Sequence, residues 1–303
     1  MKTVHIGLIG CGRWGRNILR DLNSLRSVVT VVDPCEQARR LALEQGAQLA
    51  VSVLEELPSV DGYIVAVPAA MHGEIIYAVL DTKKPIFVEK PLASDAETAQ
   101  DIAVRAEGQV FVMHKWRYHP GIQALTNLIQ TQELGEVLSL RLNRVQWGDS
   151  HRDVDSVWTL MPHDLSIVYH MLGFLPDPRY VVTEKVQSRL ESMIAVLGHT
   201  PQAIVEVSSL RPRKNRLIQV LCENGVAALT DPMAEHIEIY RFGNWSPSET
   251  KPEYFSISRE MPLMRELRSF INYIQGGPKP HSSASEGALI IKTISDLIEM
   301  AAT

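Results

Sequence analysis

Three glycines near the start of the chain have the spacing of a phosphate-binding turn. Gly10, Gly12 and Gly15 follow an apolar run and precede a helical pattern. Gly10 permits a tight turn, Gly12 leaves room for phosphates, and Gly15 lets the helix pack closely. The N-terminus of that helix attracts the negative charge of a pyrophosphate. Asp33 ends the next apolar run, about 20 residues further on, where a carboxylate accepts hydrogen bonds from a ribose diol.

Lys90 is the first candidate for chemistry on a substrate. It follows the predicted strand 85–88 within the run Glu89-Lys90-Pro91. Side chains that follow parallel strands meet at the carboxyl edge of the sheet, where ligands bind. An ammonium group there can stabilise negative charge on an oxygen. The alternative is a surface lysine paired with Glu89, since most such ion pairs have little significance. Other polar or strand-ending residues at this edge are Val67, Pro68, His72, His114 and Lys115.

His163 is the candidate proton acceptor. It follows Pro162, and proline is favoured in the first turn of a helix. We therefore expect His163 near a helix N-terminus, where the dipole favours the neutral imidazole that can accept a proton. The alternative is a capping or core histidine.

The first third of the chain predicts a parallel sheet covered by helices on both faces, because continuous apolar strands alternate with amphipathic helices. The predicted strands are 4–9, 28–32, 48–51, 62–67, 85–88 and 109–113. The predicted helices include 36–45, 72–80 and 95–107, the last with Ser94 as its N-cap.

The pattern changes after residue 118. A helix at 121–131, a strand at 136–146 and a helix at 162–172 ended by Gly173 are followed by several strands without intervening helices. The clearest are 193–197, 203–207 and 217–221, with a hairpin signal at Asn224-Gly225. Such a series predicts an antiparallel or mixed sheet. Two helices, 263–275 and 285–300, end the chain, so we divide it into domains at 1–118 and 119–303.

Composition narrows the function classes. The chain has 303 residues, 45% hydrophobic and 21% charged, enough for two domains. Its net charge of -5 argues against nucleic-acid binding. The sequence has no apolar run of the roughly 20 residues that cross a bilayer, and no signal-peptide pattern begins it. Three widely spaced cysteines fit a reducing cytoplasm. We therefore expect a cytoplasmic protein that binds neither nucleic acid nor membrane.

The sequence resembles the GFO/IDH/MocA family of oxidoreductases over nearly its whole length. The resemblance rests on the glycine turn 10–17, Val67-Pro68 with His72, the run 84–91, the run 117–120, Pro162-His163-Asp164 and the last two helices. Within the family, the glycine turn and the Pro-His-Asp segment look most like the branch that acts on nucleotide-linked sugars. The resemblance implies an α/β fold: an N-terminal Rossmann domain followed by an α+β domain with a large open, mostly antiparallel sheet.

The resemblance also implies roles for individual residues. Lys90 and His163 match the catalytic lysine and histidine, and no metal is expected. The cofactor, NAD, is expected to contact Gly10, Gly12, Arg13, Trp14, Gly15, Asp33, Val67, Pro68, His72, Glu89 and Lys90. The substrate is expected to contact Lys90, Arg117, Thr159 and His163.

Two positions depart from the family pattern. Thr159 stands where the family carries an aspartate four residues before the histidine, and a hydroxyl cannot orient or charge-stabilise a histidine as a carboxylate does. Val67 stands where the family usually has threonine. These changes leave open an altered substrate, a slower enzyme or a protein without catalysis.

The leading hypothesis is reversible hydride transfer between a nicotinamide and a secondary alcohol of a sugar, sugar acid or polyol, which is possibly nucleotide-linked. The alternative is a sensor or regulator that binds NAD(H) without turnover. Retention of both Lys90 and His163 favours the enzyme. The family also implies a homodimer or homotetramer that assembles through the second sheet, whose alternating strands offer an apolar outer face.

Asp33 favours NAD(H) over NADP(H), because a carboxylate repels a 2′-phosphate. Pro34 follows it, and Arg39 and Arg40 are expected to face solvent. Cys11 is interpreted as a small residue that fits the turn, with a redox role as the alternative.

Three other features have mainly structural interpretations. The loop 148–155 is interpreted as solvated rather than metal-binding, with Arg152 as an alternative contact to a substrate carboxylate or phosphate. The basic run 211–216 is interpreted as an exposed turn, with a diphosphate site or a subunit edge as alternatives. Trp116 and Trp147 are expected in a core or an interface.

Overall fold

Six parallel strands form the first sheet of the computed structural model, which describes residues 3–106, 108–148, 155–243 and 251–302. The strands are β1 (His5–Ile9), β2 (Val28–Val32), β3 (Leu49–Val51), β4 (Gly62–Val65), β5 (Ile86–Glu89) and β6 (Val110–Met113). Their order is β3-β2-β1-β4-β5-β6, and every pairing is parallel. The chain therefore crosses the sheet in both directions from β1, which is the Rossmann topology predicted from the alternating pattern.

The helices of this unit cover a sheet that is apolar on both faces. They are α1 (Gly15–Ser24), α2 (Glu36–Glu44), α3 (His72–Leu80), α4 (Ala96–Arg105) and, from the end of the chain, α7 (Pro262–Ile274). Leu263, Leu267 and Phe270 of α7 belong to the same buried cluster as the β1 and β2 side chains. The rings of Phe87 and Phe270 stack with their centroids 4.8 Å apart. Burial of such side chains stabilises the unit by about 1.5–3 kcal/mol each.

The predicted N-cap of α4 was wrong by one residue. Asp95, not Ser94, has the extended backbone of an N-cap, and its carboxylate accepts a hydrogen bond from the backbone N–H of Thr98. An aspartate at this position both satisfies a free N–H and complements the helix dipole, so it is at least as good a cap as serine.

Eight strands form the second sheet, which is mostly antiparallel as predicted. They are β7 (Val137–Trp147), β8 (Pro178–Val186), β9 (Arg189–Leu197), β10 (Gln202–Ser208), β11 (Leu210–Cys222), β12 (Gly225–Leu229), β13 (His236–Arg241) and β14 (Glu253–Ser256). Their order is β14-β13-β12-β11-β7-β10-β9-β8, with one parallel pairing, between β7 and β10. Helices α5 (Pro120–Gln130) and α6 (Ser156–Leu172) belong to this unit, and α8 (Ala284–Met300) ends the chain.

Helix α6 starts earlier than the sequence analysis expected. It begins at Ser156, so Pro162 lies inside the helix and His163 lies in its middle. The expectation that a helix dipole end keeps His163 neutral was therefore wrong, because the dipole acts within the terminal turns. Pro162 lacks an N–H and leaves one carbonyl without its helical hydrogen bond, yet the apolar run before it still forms helix. Gly173 ends the helix with φ 80°, as predicted.

The basic run 211–216 was misassigned as a turn. It lies within β11, where the pairing with β7 shifts between Leu210 and Asn215. The hairpin after β11 is confirmed, but its central residues are Glu223 and Asn224, since Gly225 already pairs with Cys222. Trp147, expected in a core or an interface, is 73% exposed in this chain.

By its contacts the chain divides into two units, Met1–Lys115 with Met261–Ile291, and Trp116–Glu260 with Lys292–Thr303. Residues 261–291 thus group with the N-terminal unit, and the boundary at residue 118 stays a prediction. None of the helices in the described part of the chain combines the length and hydropathy needed to span a membrane.

Candidate cofactor site and candidate catalytic residues

The glycine turn has the shape that a pyrophosphate requires. Gly10 has φ +92°, and a Cβ there would lie 2.6 Å from the carbonyl oxygen of Ala66, so a side chain is excluded. A Cβ on Gly12 would meet nothing within 4 Å, so this position faces open space. The turn is therefore closed towards β4 and open on the side from which a ligand approaches the N-terminus of α1.

Asp33 is held at the end of β2 by two backbone amides. Its Oδ2 accepts a hydrogen bond from the N–H of Cys11 at 2.8 Å, and its Oδ1 accepts one from the N–H of Cys35 at 2.9 Å. The residue is 8% exposed. Each carboxylate oxygen has a second lone pair, so the group can still accept hydrogen bonds from a ribose diol. The glycine turn and the predicted ribose acceptor are thus one hydrogen-bonded assembly.

Arg39 does not simply face solvent, which corrects the expectation made for it. Its Nη1 donates to the carbonyl oxygens of Asp33 and Pro34, both at 2.8 Å, and the side chain is half-buried. Arg40 is exposed and pairs with Glu36 at 2.6 Å. Arg39 therefore fixes the loop that carries Asp33.

Cys11 is buried within the turn, at 1% exposure. Burial raises the pKa of its thiol to about 11, and the Asp33 carboxylate adds to the effect. A thiol with a raised pKa is a poor nucleophile, so the geometry favours the structural interpretation over a redox role.

The Glu89 side chain connects the glycine turn to the backbone of Lys90. The indole Nε1 of Trp14 donates to Glu89 Oε1, and the backbone N–H of Lys90 donates to Glu89 Oε2 at 3.2 Å. The ammonium of Lys115 lies 4.3 Å from the centroid of the Trp14 ring, a cation–π contact. Burial raises the pKa of Glu89, and the positive charge of Lys90 opposes that rise. Lys90 thus starts from a fixed backbone position at the carboxyl edge of the sheet.

The His72 ring lies within hydrogen-bond distance of two of the predicted cofactor loops. Its Nδ1 lies 2.7 Å from the carbonyl oxygen of Pro91, and its Nε2 lies 3.0 Å from that of Val67. Hydrogen bonds to both at once need the doubly protonated ring, which burial opposes by lowering the pKa of His72. The His72 side chain is 1% exposed. It therefore stabilises the cofactor loops through its contacts with Val67 and Pro91.

A polar groove runs along the outer side of α1, beside the glycine turn. It has a volume of about 610 Å³ and is lined by Arg13, Arg16, Asn17, Arg20, Asn23 and Gln45. Arg20 pairs with Asp21 at 2.7 Å. Within the described residues, Arg13 and Arg16 have no ion-pair partner. Two cations next to the open side of the turn fit the predicted role of Arg13 towards a pyrophosphate.

In the second unit, His163 contacts the aromatic ring of Trp116. The Trp116 ring meets His163 edge-on, with the ring centroids 6.5 Å apart and an interplanar angle of 77°. Trp116 also stacks on His119 at 5.5 Å. These contacts restrict the orientation of His163 from the side of the indole.

Thr159, which stands where the family carries an aspartate, makes a hydrogen bond within α6. Its hydroxyl donates to the carbonyl oxygen of Ser156, one turn back in α6, at 2.9 Å. Arg117 is 1% exposed, and its guanidinium lies 5.3 Å from the centroid of the Tyr169 ring. The predicted contacts of both residues with substrate stay predictions.

The sequence analysis did not identify a buried ion pair next to His163. Arg144 donates to both oxygens of Asp164, at 2.6 and 2.9 Å, and its guanidinium lies 4.7 Å from the centroid of Trp116. A signal was available. Arg144 follows Leu140 and Leu142 at a spacing of two in a strand, so its side chain lies on the apolar face.

Residues 149–154, which include Arg152, lie outside the described residues. The role predicted for Arg152 therefore stays a prediction. In the ranges that the structure describes, no group of three or more His, Cys, Asp or Glu side chains could hold a metal. The described residues fit a bound dinucleotide at the carboxyl edge of the first sheet. They are the open glycine turn, the buried carboxylate of Asp33, and Arg13 and Arg16, which have no ion-pair partner among the described residues.

Residues 4–114 match the family described as "Oxidoreductase family, NAD-binding Rossmann fold", with the name GFO_IDH_MocA. Inositol 2-dehydrogenase of Ralstonia nicotianae is 28% identical, over 94% of this chain and 90% of that protein. The resemblance seen in the sequence motifs is confirmed over residues 4–114. These residues form an NAD-binding Rossmann domain of the GFO/IDH/MocA type, and nearly the full chain is similar to inositol 2-dehydrogenase.

Two solved structures share the fold over almost the whole length. UDP-N-acetylglucosamine 3-dehydrogenase from Acidithiobacillus ferrooxidans has a TM-score of 0.82 and 19% identity, and the match covers 99% of this chain and 98% of that one. Levoglucosan dehydrogenase in complex with NADH and levoglucosan has a TM-score of 0.88 and 14% identity, with 99% and 98% covered. At these identities the similarity concerns the fold.

Proposed function

We propose that this protein is an NAD-dependent dehydrogenase that oxidises, or in reverse forms, a secondary alcohol of a sugar, sugar acid or polyol. One observation carries the proposal. The cofactor turn and the candidate catalytic lysine are connected through one carboxylate, since Glu89 accepts hydrogen bonds from Trp14 and from the N–H of Lys90. A lysine at the carboxyl edge of a Rossmann sheet supports this proposal, because ligands of such sheets bind at that edge.

The names of the relatives support this reaction class. Inositol 2-dehydrogenase and levoglucosan dehydrogenase are each named for oxidation of a polyol or a sugar. The similarity to a dehydrogenase of a nucleotide-linked sugar concerns the fold, so the branch suggested by the motifs remains part of the proposal.

The proposed chemistry divides between two side chains. Bound NAD supplies the hydride acceptor. His163 accepts the proton of the substrate hydroxyl, a contribution of typically ~10²- to 10⁴-fold in rate. Lys90 donates a hydrogen bond to the same oxygen and stabilises its developing negative charge. Asp33 binds the ribose diol and excludes a 2′-phosphate, so NAD(H) is preferred to NADP(H).

A sensor that binds NAD(H) without turnover is the second candidate, and Thr159 favours it. Its hydroxyl is used within α6, so no carboxylate stands where the family places one to orient the histidine. In the proposed enzyme, the Arg144–Asp164 pair and Trp116 restrain the same region instead.

NADH fluorescence during incubation with NAD⁺ and a panel of polyols, sugars and sugar acids distinguishes the two candidates. The enzyme predicts NADH formation with at least one compound. Calorimetry with NADH provides the control, because both candidates bind it. Tight NADH binding with no redox change in either direction across the panel would establish the sensor and reject the enzyme.

We also propose a homodimer or homotetramer formed through the second sheet, and a cytoplasmic location. The outer side chains Tyr180 and Val182 are 69% and 63% exposed, which suits an interface between copies. The three cysteines are free, which suits a reducing compartment.

A further inference from the structure

Two arginines lie directly opposite each other on one face of the second sheet. Arg216 of β11 pairs in register with Arg144 of β7. Residues opposite each other in an antiparallel pair share a face. This is the face that packs against α6, because Arg144 reaches Asp164 of that helix. Two like charges are thus adjacent on a surface that is otherwise apolar, with Leu142 and Ile218 next in register.

One carboxylate, that of Asp164, lies in this cluster, and Arg144 donates to both of its oxygens. The side chains of Arg144 and Asp164 are 5% and 1% exposed and form a two-bond ion pair. Arg216 instead donates to neutral oxygens: its Nη1 to the carbonyls of Val145 at 2.6 Å and Asn215 at 2.9 Å, and its Nη2 to the side chain of Gln146.

Two other arginines of this sheet have carboxylate partners. Arg211 of the same strand pairs with Glu184 at 2.9 Å, and Arg189 pairs with Glu191 at 2.7 Å. Among the described residues, no carboxylate lies within ion-pair distance of Arg216. The cluster of Arg144, Arg216 and Asp164 therefore has an excess positive charge.

Arg216 is half-buried, so water compensates its charge only in part. Burial lowers the pKa of Arg216 to about 10, the charge of Arg144 lowers it further, and Asp164 opposes both. A cation that is partly withdrawn from water without a counter-charge is a local conflict that a bound anion would relieve. Local conflicts of this kind are characteristic of functional sites.

The cluster lies beside the candidate base. Asp164 is the residue after His163, and Trp116 contacts both the His163 ring and the Arg144 guanidinium. Arg216 is thus connected to the region of the proposed proton acceptor through Arg144 and Trp116.

We propose that Arg216, supported by Arg144, binds a carboxylate or phosphate of the substrate, so that the substrate is an anionic sugar. The assignment of the anion to the substrate rests on the proposed function, whereas the anion site itself does not. A planar guanidinium with a free edge is well suited to either anion, and a charge-assisted bond of this type contributes about 1.5–3 kcal/mol, or 10- to 100-fold in affinity.

Thermal unfolding of the NAD-saturated protein tests the site without catalysis. The probes are sodium phosphate, sodium acetate, D-glucuronate and glucose 6-phosphate, each against sodium chloride at the same ionic strength. We expect at least one probe to raise the Tm of the wild type and of the Arg213→Gln control, an exposed arginine on the same strand. Glucuronate and glucose 6-phosphate distinguish a carboxylate from a phosphate ligand.

The variant Arg216→Gln is expected to lose this protection, measured as the rise in its own Tm on addition of each probe. Arg216→Lys keeps the charge and is expected to retain part of the protection. Equal protection of Arg216→Gln and wild type, or no probe that protects the wild type beyond chloride, would overturn the proposal.

Turnover separates this inference from the proposed function. If an anionic sugar is oxidised, we expect Arg216→Gln to lower kcat/KM for it by 10- to 100-fold and to leave neutral polyols within about twofold. Oxidation of neutral polyols alone, unaffected by Arg216→Gln, would overturn the inference and keep the dehydrogenase. Protection by an anion that depends on Arg216, without hydride transfer to or from any compound of the panel, would keep the anion site and overturn the dehydrogenase.

Discussion

Asp33 shows how a single carboxylate can organise a binding edge. Its two oxygens are held by the amides of Cys11 and Cys35, and Arg39 fixes the carbonyls that follow. The sequence predicted Asp33 because its spacing from the glycine turn follows from the geometry of a strand–helix–strand unit. It could not predict Arg39, since a long side chain at an exposed helical position can point to solvent or return to its own loop with similar local sequence.

The same distinction applies to the residues around His163. Lys90 and His163 belong to contiguous motifs, so they could be found from the sequence. Arg144 and Asp164 are 20 residues apart and meet only because β7 and α6 pack together. Contacts of that kind depend on register and helix rotation, which the sequence pattern does not specify.

Substitution of Asp33 should change the choice of cofactor. Asp33→Asn keeps one acceptor oxygen, loses the hydrogen bond from one of the two backbone amides, and removes the charge that repels a 2′-phosphate; the ratio of affinities is therefore the readout, not either affinity alone. We expect the ratio of the Kd values for NADP(H) and NAD(H) to fall by about tenfold, measured by calorimetry. Glu36→Gln, at an exposed position of the following helix, is the control. An unchanged ratio in Asp33→Asn would show that Asp33 does not determine the preference.

Two sequence signals favour different starting residues for helix α6. Pro162 matched the first-turn preference of proline, and the sequence analysis therefore started the helix too late. The residues before it, Ser156 to Met161, also have a helical apolar pattern, and most of them are buried. An interior proline destabilises a helix by about 3 kcal/mol, through a lost hydrogen bond and a clash of its ring. Packing of the apolar segment before Pro162 outweighs that cost.

The second sheet leaves part of its outer face uncovered in the single chain. Val182 pairs with Ile194, and Tyr180 with Val196, on the side opposite the buried Met193 and Ala195. The sequence predicted an apolar outer face on this sheet, but it identified neither β8 nor the partner that covers it.

A charge on the outer face of β8, at the edge of the sheet, should weaken self-association. We expect Val182→Asp to give a smaller species than the wild type in size-exclusion chromatography with light scattering, because a carboxylate would be buried unpaired in the interface. Arg179→Asp, an exposed change on the same strand, is the matched control. A wild-type protein that is monomeric, or a Val182→Asp variant of unchanged size, would contradict assembly through this sheet.

Across the full chain, the sequence predicted two sheets, their types and most of the helices. It did not predict that residues 261–291 group with the N-terminal unit. An amphipathic helix shows which face is buried but not which sheet it covers, and only the packing of Phe270 on Phe87 specifies the partner.

A double-mutant cycle tests the central claim, that Lys90 and His163 act on one substrate oxygen. The measurement is kcat/KM for the best substrate of the panel, with wild type, Lys90→Met, His163→Asn and the double variant, each first shown to bind NADH. We predict a loss of ~10²-fold or more for each single variant and a loss in the double variant well below their product, because groups that serve one step are not additive. Wild-type kcat/KM in either single variant, or fully additive losses in the double variant, would contradict the account.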